Sequence, residues 1–278
     1  MKLNCYKYQG TGNDFVLIDN RDNSISLSIE QIKWLCDRRF GIGADGLMLL
    51  ELAPNVDFKM VYYNSDGNES SMCGNGGRCI TAFAKKIGVI ENEAKFIAID
   101  GLHEAKIIED WISLKMNDVR NIEVGNDFFY LNTGSPHYVK FVSDVENVDV
   151  YSEGKKIRYN ARFEVEGTNV NFIEKKENEL FVRTYERGVE NETLSCGTGV
   201  TAAALVAAIS GASTTKNNCA IKTLGGNLNV KFEKVLENTF YNIWLEGPAT
   251  FVFKTEIELW NYFLNNWTIF LIGFKYNV

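Results

Sequence analysis

Two short segments of this chain, Cys73-Gly74-Asn75-Gly76 and Cys196-Gly197-Thr198-Gly199, share the pattern C-G-x-G. Each follows an expected strand and turn, and each opens a stretch of helical character. After the first, Ile80, Phe83, Ala84 and Ile87 have helical spacing; after the second comes the apolar run Val200 to Ile209. The cysteines are 196 − 73 = 123 residues apart in a chain of 278, close to half its length. A period that long is no solenoid repeat; it predicts a duplicated domain in which each half supplies one element of a shared site. The halves echo each other elsewhere too. Asn132-Thr133-Gly134-Ser135-Pro136-His137 precedes an apolar strand pattern, Tyr138 to Val142, as Gly10-Thr11-Gly12-Asn13-Asp14 precedes Phe15 to Ile18.

The pattern between these landmarks mixes helix and strand. Ser28 caps an amphipathic helix through Leu35, and Phe58 to Tyr63 reads as a strand ending at the turn Asn64-Ser65-Asp66-Gly67. A hairpin is expected between 96–99 and 105–108, and a strand from Glu179 to Tyr185. Periodicity fades between Asn117 and Asn126, which places the domain boundary there: 1–117 carrying Cys73 and 118–250 carrying Cys196. Part of the segment from about 250 to 278 is expected to pack back on the first domain. Within that segment the apolar run Trp267 to Phe274 has only eight residues, well short of the roughly 20 a membrane helix needs. It suits an edge-covering element or an appended tail.

Composition removes several function classes. The 29 Lys and Arg against 36 Asp and Glu give a net charge of -7, without a basic stripe, so neither nucleic acid nor an anionic membrane is an expected partner. The only histidines, His103 and His137, are far apart, which argues against an imidazole metal centre, and no metal is expected. The opening MKLNCYKYQG lacks the apolar core of a secretory signal, so a reducing, cytoplasmic location is expected. None of the six cysteines forms a C-x-x-C pair. Cys5, Cys36, Cys79 and Cys219 read as small buried hydrophobes, whereas Cys73 and Cys196 head helices.

A helix N-terminus offers free N–H groups and the positive end of the macrodipole, which favour a thiolate and can draw a cysteine pKa below its free value. The adjacent glycines let a carboxylate approach the backbone. If the halves face each other, one carboxylate can lie between two helix ends with its α-carbon between two sulfurs. That arrangement suits inversion of the α-carbon, one thiolate removing a proton and the opposite thiol delivering one. Charge would build on the carboxylate, where the amides already point. No cofactor is called for: Gly41-Ile42-Gly43-Ala44-Asp45-Gly46 lacks the third glycine of a dinucleotide fingerprint.

These residues, together with GTGNDFVLID (10–19), GIGADG (41–46), YNSDGNESSMCGNGGRC (63–79), TGSPH (133–137), TNVNF (168–172) and YERGVENETLSCGTG (185–199), resemble the diaminopimelate epimerase family over about residues 5 to 255. The resemblance implies an α/β (α+β) fold of two pseudo-symmetric domains, each a mixed, largely antiparallel sheet wrapped around a central helix, with the site in the cleft between them. It implies a cofactor-independent enzyme of lysine and peptidoglycan precursor synthesis that interconverts LL- and meso-2,6-diaminopimelate, and a homodimer. Position by position, Cys73 and Cys196 are the implied acid and base. Gly74, Asn75, Gly197 and Thr198 would hold the reacting carboxylate, and Asn13, Asn64, Asn169, Glu186 and Arg187 the remaining amino and carboxylate groups. His137 and Glu186 match positions that tune or orient the thiols. The chain departs from the family's usual pattern at Gly46 (glutamine in many members), at Ser135 (asparagine), at Phe253 (a tyrosine associated with the dimer contact) and by one extra residue between Arg187 and Cys196.

Singly, these residues have plainer explanations: a loop histidine satisfied by backbone, a surface Glu186–Arg187 pair, asparagines in turns. Their joint arrangement around two cysteines favours chemistry. Two rivals share the motifs: another racemase of the same fold, such as a proline-racemase-like enzyme, and a redox-sensing protein in which Cys73 and Cys196 form a reversible disulfide.

Overall fold

Residues 1–213 and 215–259 are described by the structure, a computed structural model. The chain begins as a hairpin. Strand β1 (Lys2–Gly10) returns as β2 (Asn13–Asp19), with Gly10 opposite Asn13. Both turn residues, Thr11 and Gly12, have positive φ (50° and 86°), which matches the twist of a tight hairpin. Helix α1 (Ile29–Cys36) follows, closed at its start by a reciprocal Ser28–Gln31 capping box. Strand β3 (Gly46–Glu51) lies parallel to β2, and β4 (Phe58–Asn64) lies antiparallel to β3. After helix α2 (Gly74–Lys86), β5 (Glu93–Ala98) pairs parallel to β4, and β6 (Gly101–Ile108) and β7 (Trp111–Lys115) complete an antiparallel run.

The second half repeats that order. Strands β8 (Ile122–Val124) and β9 (Phe129–Asn132) lead to β10 (Pro136–Phe141). Helix α3 (Val150–Arg158) stands where α1 stood, and β11 (Asn169–Lys175) is parallel to β10. Strand β12 (Leu180–Glu186) is antiparallel to β11, and the short β13 (Asn191–Thr193) lies against it. Helix α4 (Gly197–Ile209) takes the place of α2; β14 (Asn218–Thr223) is parallel to β12, and β15 (Gly226–Leu236) and β16 (Thr239–Pro248) follow antiparallel. The fold is thus α+β, a mixed and mostly antiparallel sheet with few helices, in two pseudo-symmetric halves.

Three strand pairings knit the halves together. Strands β7 and β16, equivalent in the repeat, pair directly with Leu114 opposite Leu245. The strand after each of them then crosses to the other half: β8 pairs with β9, and β17 (Thr250–Glu258) pairs with β1. Residues beyond 259, including the apolar run Trp267 to Phe274, lie outside the described residues. Among the described residues no helix is long and apolar enough to cross a membrane.

The strand pleat explains the layers. Along β2, Phe15 and Leu17 face the cluster containing α2, while Val16 and Ile18 face the one under α1. Helix α3 covers the equivalent outer face of the second half, over Val170, Phe172 and Tyr185. Helix α4 is buried on every side from Val200 to Ala207 and is rich in alanine, so strands approach it from all directions. Ala203→Leu, at a fully buried position in that helix, is expected to destabilise the protein by about 1–3 kcal/mol although leucine is a good helix former. Urea denaturation of the variant checks this.

Candidate active site

Helices α2 and α4 meet at their N-termini. A Cβ built on Gly197 would lie 3.1 Å from the Gly74 Cα, and one built on Gly74 would lie 3.4 Å from the Gly197 Cα. Each would also press on the Leu245 side chain, at 3.0 and 2.8 Å respectively. The residue after each cysteine is therefore glycine because no side chain fits between the helix ends. The contact brings Cys73 and Cys196, the N-cap residues of the two helices, near each other. It also points two positive dipole ends at one place, an arrangement that an anion relieves.

The repeat pairs the surrounding side chains. Phe15 stands beside Gly46 and Gly46 opposite Asn64; His137 stands beside Asn169, whose register continues to Glu186. Asn13 therefore corresponds to Ser135, Gly46 to Asn169, and Asn64 to Glu186. Each strand end that carries a site residue in one half carries another in the second.

Around Cys73 the polar groups are well anchored. The thiol caps its own helix, accepting from the Gly76 N–H at 3.2 Å, and lies 3.8 Å from the Asn13 Oδ1. Asn13 donates through Nδ2 to Asp45 at 2.6 Å, and Arg38 holds Asp45 at 2.6 Å, so the Asn13 carbonyl is turned toward the sulfur. Asn75 donates to the Ser195 carbonyl at 2.9 Å, linking the first helix to the residue before Cys196. Its oxygen accepts from Arg78 at 2.9 Å. Arg78 is fully buried, and its other acceptors are Thr11 and the carbonyls of Gly74 and Pro248; none is a carboxylate.

Around Cys196, Thr198 Oγ1 stands 3.5 Å from the sulfur, and its carbonyl accepts from Thr133 at 2.9 Å. Glu186 accepts from Thr193 at 2.9 Å; burial raises its carboxyl above the usual range. Asn169 is buried, donates to Ser135 Oγ and the Pro136 carbonyl at 2.9 and 3.0 Å, and accepts from the Arg187 N–H at 2.9 Å. Arg187 is exposed and donates to the Glu166 carbonyl at 2.9 Å and weakly to Ser135; among the described residues it meets no carboxylate. Asn64 is exposed on the rim, with its N–H bonded to the Asn68 carbonyl. His137 is no loop residue satisfied by backbone. It is fully buried in β10, where desolvation, and then the Arg187 charge, push it down to about 3. At Gly46 a Cβ would come within 2.5 Å of the Tyr62 ring, so a side chain has no room there.

The thiols correct one expectation. Helix-end placement was expected to favour the thiolate, yet burial pushes Cys73 up to about 11 and raises Cys196 as well. Desolvation outweighs the Gly76 N–H and the Arg78 charge at Cys73, and the nearby Glu186 raises both thiols further. Both thiols thus lie above the range of a free cysteine. Sequence reasoning passed over Arg78, Asp45, Asn171 and Thr184. The signal for Asn171 was available in TNVNF, where strand alternation places it on the same inward face as Asn169. A buried arginine inside a helix has no such sequence signature.

The sequence profile described as diaminopimelate epimerase matches residues 5–119 and 129–252. The chain belongs to the diaminopimelate epimerase family. A diaminopimelate epimerase of Flavobacterium psychrophilum is 56% identical over 261 residues, spanning 92% of this chain and 100% of the relative. One from Chlorobaculum tepidum is 42% identical, spanning 90% of this chain and 99% of its own. Among solved structures, a phenazine biosynthesis protein of the PhzF family from Bacillus anthracis superposes with a TM-score of 0.72 at 15% identity, over 93% of this chain and all of that one. A hydroxyproline epimerase from Agrobacterium vitis, holding trans-4-hydroxy-L-proline, gives 0.66 at 13% identity over 93% of each chain. At such identities these two structures speak to the fold alone.

Two outcomes follow from the geometry. Iodoacetamide labelling of Cys73 in the free protein should climb steadily with pH through 9, because its folded-state pKa is raised; a plateau near pH 7 would contradict this. Gly197→Ala should push the helix ends apart, lower stability by about 1–3 kcal/mol and remove most activity, as thermal denaturation and turnover assays would show.

Proposed function

We propose that this protein interconverts LL- and meso-2,6-diaminopimelate through two cysteines acting as acid and base. The observation that carries the reading is the head-to-head contact of two helix N-termini, each headed by a thiol. A substrate carboxylate placed on the free N–H groups at Gly74, Asn75, Gly197 and Thr198 would hold its α-carbon between Cys73 and Cys196. Transfer of the α-proton to one sulfur, as thiolate, moves the electron pair toward the carboxylate. The amides and helix dipoles already face that charge, with the buried Arg78 guanidinium behind them. The opposite thiol then protonates the other face. In one direction Cys73 donates and Cys196 accepts, and the reverse reaction exchanges the roles. Because burial raises both thiols, the thiolate forms as the substrate brings its positive ammonium beside them.

The remaining residues divide the rest of the substrate. Arg187, free of any carboxylate among the described residues, offers a guanidinium fork to the distal carboxylate. Asn169 holds the start of that residue in place. Asn13, Asn64 and Glu186 take the amino and remaining carboxylate groups; Gly46 contributes main chain only, and Ser135 reaches Asn169 with a shorter arm than asparagine. His137 and Glu186 orient and tune the thiols. A guanidinium that meets no carboxylate among the described residues favours a substrate with a second anionic end over a proline-like one, and the several polar groups around the thiols favour catalysis over a purely redox role. The reading extends to domains of 1–117 and 118–250, a homodimer, a cytoplasmic setting, no cofactor, and a place in lysine and peptidoglycan precursor synthesis.

Cys73→Ala and Cys196→Ala should each abolish net epimerisation of LL-diaminopimelate. Near-normal activity in either variant would end the two-base account. With the wild-type protein, reducing agent and D2O, deuterium should enter one α-carbon as the meso isomer forms; intact protein that exchanges nothing would count against the substrate assignment.

A further inference from the structure

The repeat that equates the two thiols also exposes where their surroundings differ. Behind α2, Met48 lies against Gly76, where a Cβ would stand 2.5 Å from its methyl carbon and 3.2 Å from the Cys73 sulfur. Behind α4, Asn171 lies against Gly199, where a Cβ would stand 2.4 Å from its Oδ1 and 3.4 Å from the Cys196 sulfur. The register makes the match exact in kind: Leu17 and Tyr62 flank Met48, while Val139 and Thr184 flank Asn171. One step along, Phe15 corresponds to His137. By the repeat, Phe15, Met48 and Tyr62 occupy in the first half the positions that His137, Asn171 and Thr184 occupy in the second.

All three polar residues are buried, Asn171 and His137 fully. Their hydrogen bonds run in one direction only. The Tyr138 carbonyl, which can only accept, lies 3.0 Å from the Asn171 Nδ2, and the Thr184 hydroxyl donates to the Asn171 Oδ1 at 2.9 Å. The carbonyl fixes the amide and the hydroxyl fits that orientation, so the group 3.1 Å from the His137 Nδ1 is an NH2 donor. His137 Nδ1 must then accept, and its proton sits on Nε2. That atom is buried without a partner among the described residues. A buried donor left unmatched is costly and calls for an explanation.

We propose that Asn171 is a positioning residue that fixes His137 as its Nε2–H tautomer, holding one buried N–H in reserve for the occupied site on the Cys196 side. This rests on the two-cysteine reading for its purpose. The tautomer itself stands on the geometry alone. The first half has no counterpart of this donor, so the two faces of the cleft are chemically distinct although the backbone repeats.

The test uses the full-length protein near neutral pH. Its two histidines give two imidazole patterns in a long-range 1H–15N correlation spectrum, and His103→Gln assigns them. Wild-type His137 should show the Nε2–H pattern. Asn171→Asp replaces the donor by an acceptor, so Nδ1 should keep the proton, and kcat should fall about 10- to 100-fold with KM little changed. Thr184→Val keeps the Tyr138 carbonyl, which still requires an N–H, so the Nε2–H pattern should persist with a smaller loss of turnover. If the Asp variant does not fold, the wild-type spectrum and Thr184→Val decide. An Nδ1–H pattern in the wild type or in Thr184→Val, or lost turnover in the Asp variant with the wild-type pattern retained, would overturn the proposal. An inactive wild-type protein would instead remove the assigned reaction, and the spectrum would still report the tautomer.

Discussion

The approach of two helix N-termini across Gly74 and Gly197 is the constraint on which everything else rests. Two positive dipole ends repel each other, and several N–H groups at the start of each helix have no helical partner. Such a contact persists because the surrounding sheet enforces it. Strands β7 and β16 pair across it, and Leu245 of that ladder fills the space beside both glycines. The arrangement leaves unspent positive potential at the centre of the molecule, and a carboxylate is the natural group to use it. The sulfur atoms on either side follow from each cysteine being the N-cap.

The symmetry of that centre is a symmetry of backbone more than of chemistry. Asn13 and Ser135 are equivalent, as are Gly46 and Asn169, and Asn64 and Glu186. In each pair the side chains differ in charge, length or hydrogen-bonding capacity. A substrate that reacts at one end while the other is only held needs such a difference, since a truly symmetric site would hold either end alike. The buried cation is one-sided as well: Arg78, in the first turns of α2, corresponds to Thr201 of α4, which instead bonds the Gly197 carbonyl at 3.0 Å.

Much of this was legible in the sequence, and the reasons can be traced to particular residues. The C-G-x-G repeat and its spacing revealed the duplication because the close helix contact demands glycine in both halves, which leaves a mark in the letters. The Ser28 cap and the turn at Asn64 were equally readable, since local hydrogen bonding dictates residue type there. What escaped were properties set by distant packing. Arg78 looks like a surface cation on a helix until the Thr11 hydroxyl and the Pro248 carbonyl arrive from elsewhere in the chain. The thiol acidity departs from the helix-end expectation because the helix end is a local feature, while desolvation depends on everything packed around the sulfurs. Residue 171 reads as one more strand position until the register shows it behind Cys196.

The crossing of β8 and β17 has a consequence for folding. Strands β1 and β17 stand at opposite ends of the described residues, yet β17 is what covers the β1 edge. The first half on its own would leave that edge uncovered, with unpaired N–H and C=O groups beside Leu3 and Cys5. Such an edge pairs readily with another chain, so the first half is not a unit that folds safely alone. The same crossing means that loss of β17 would cost more than one strand: it would uncover β1 as well.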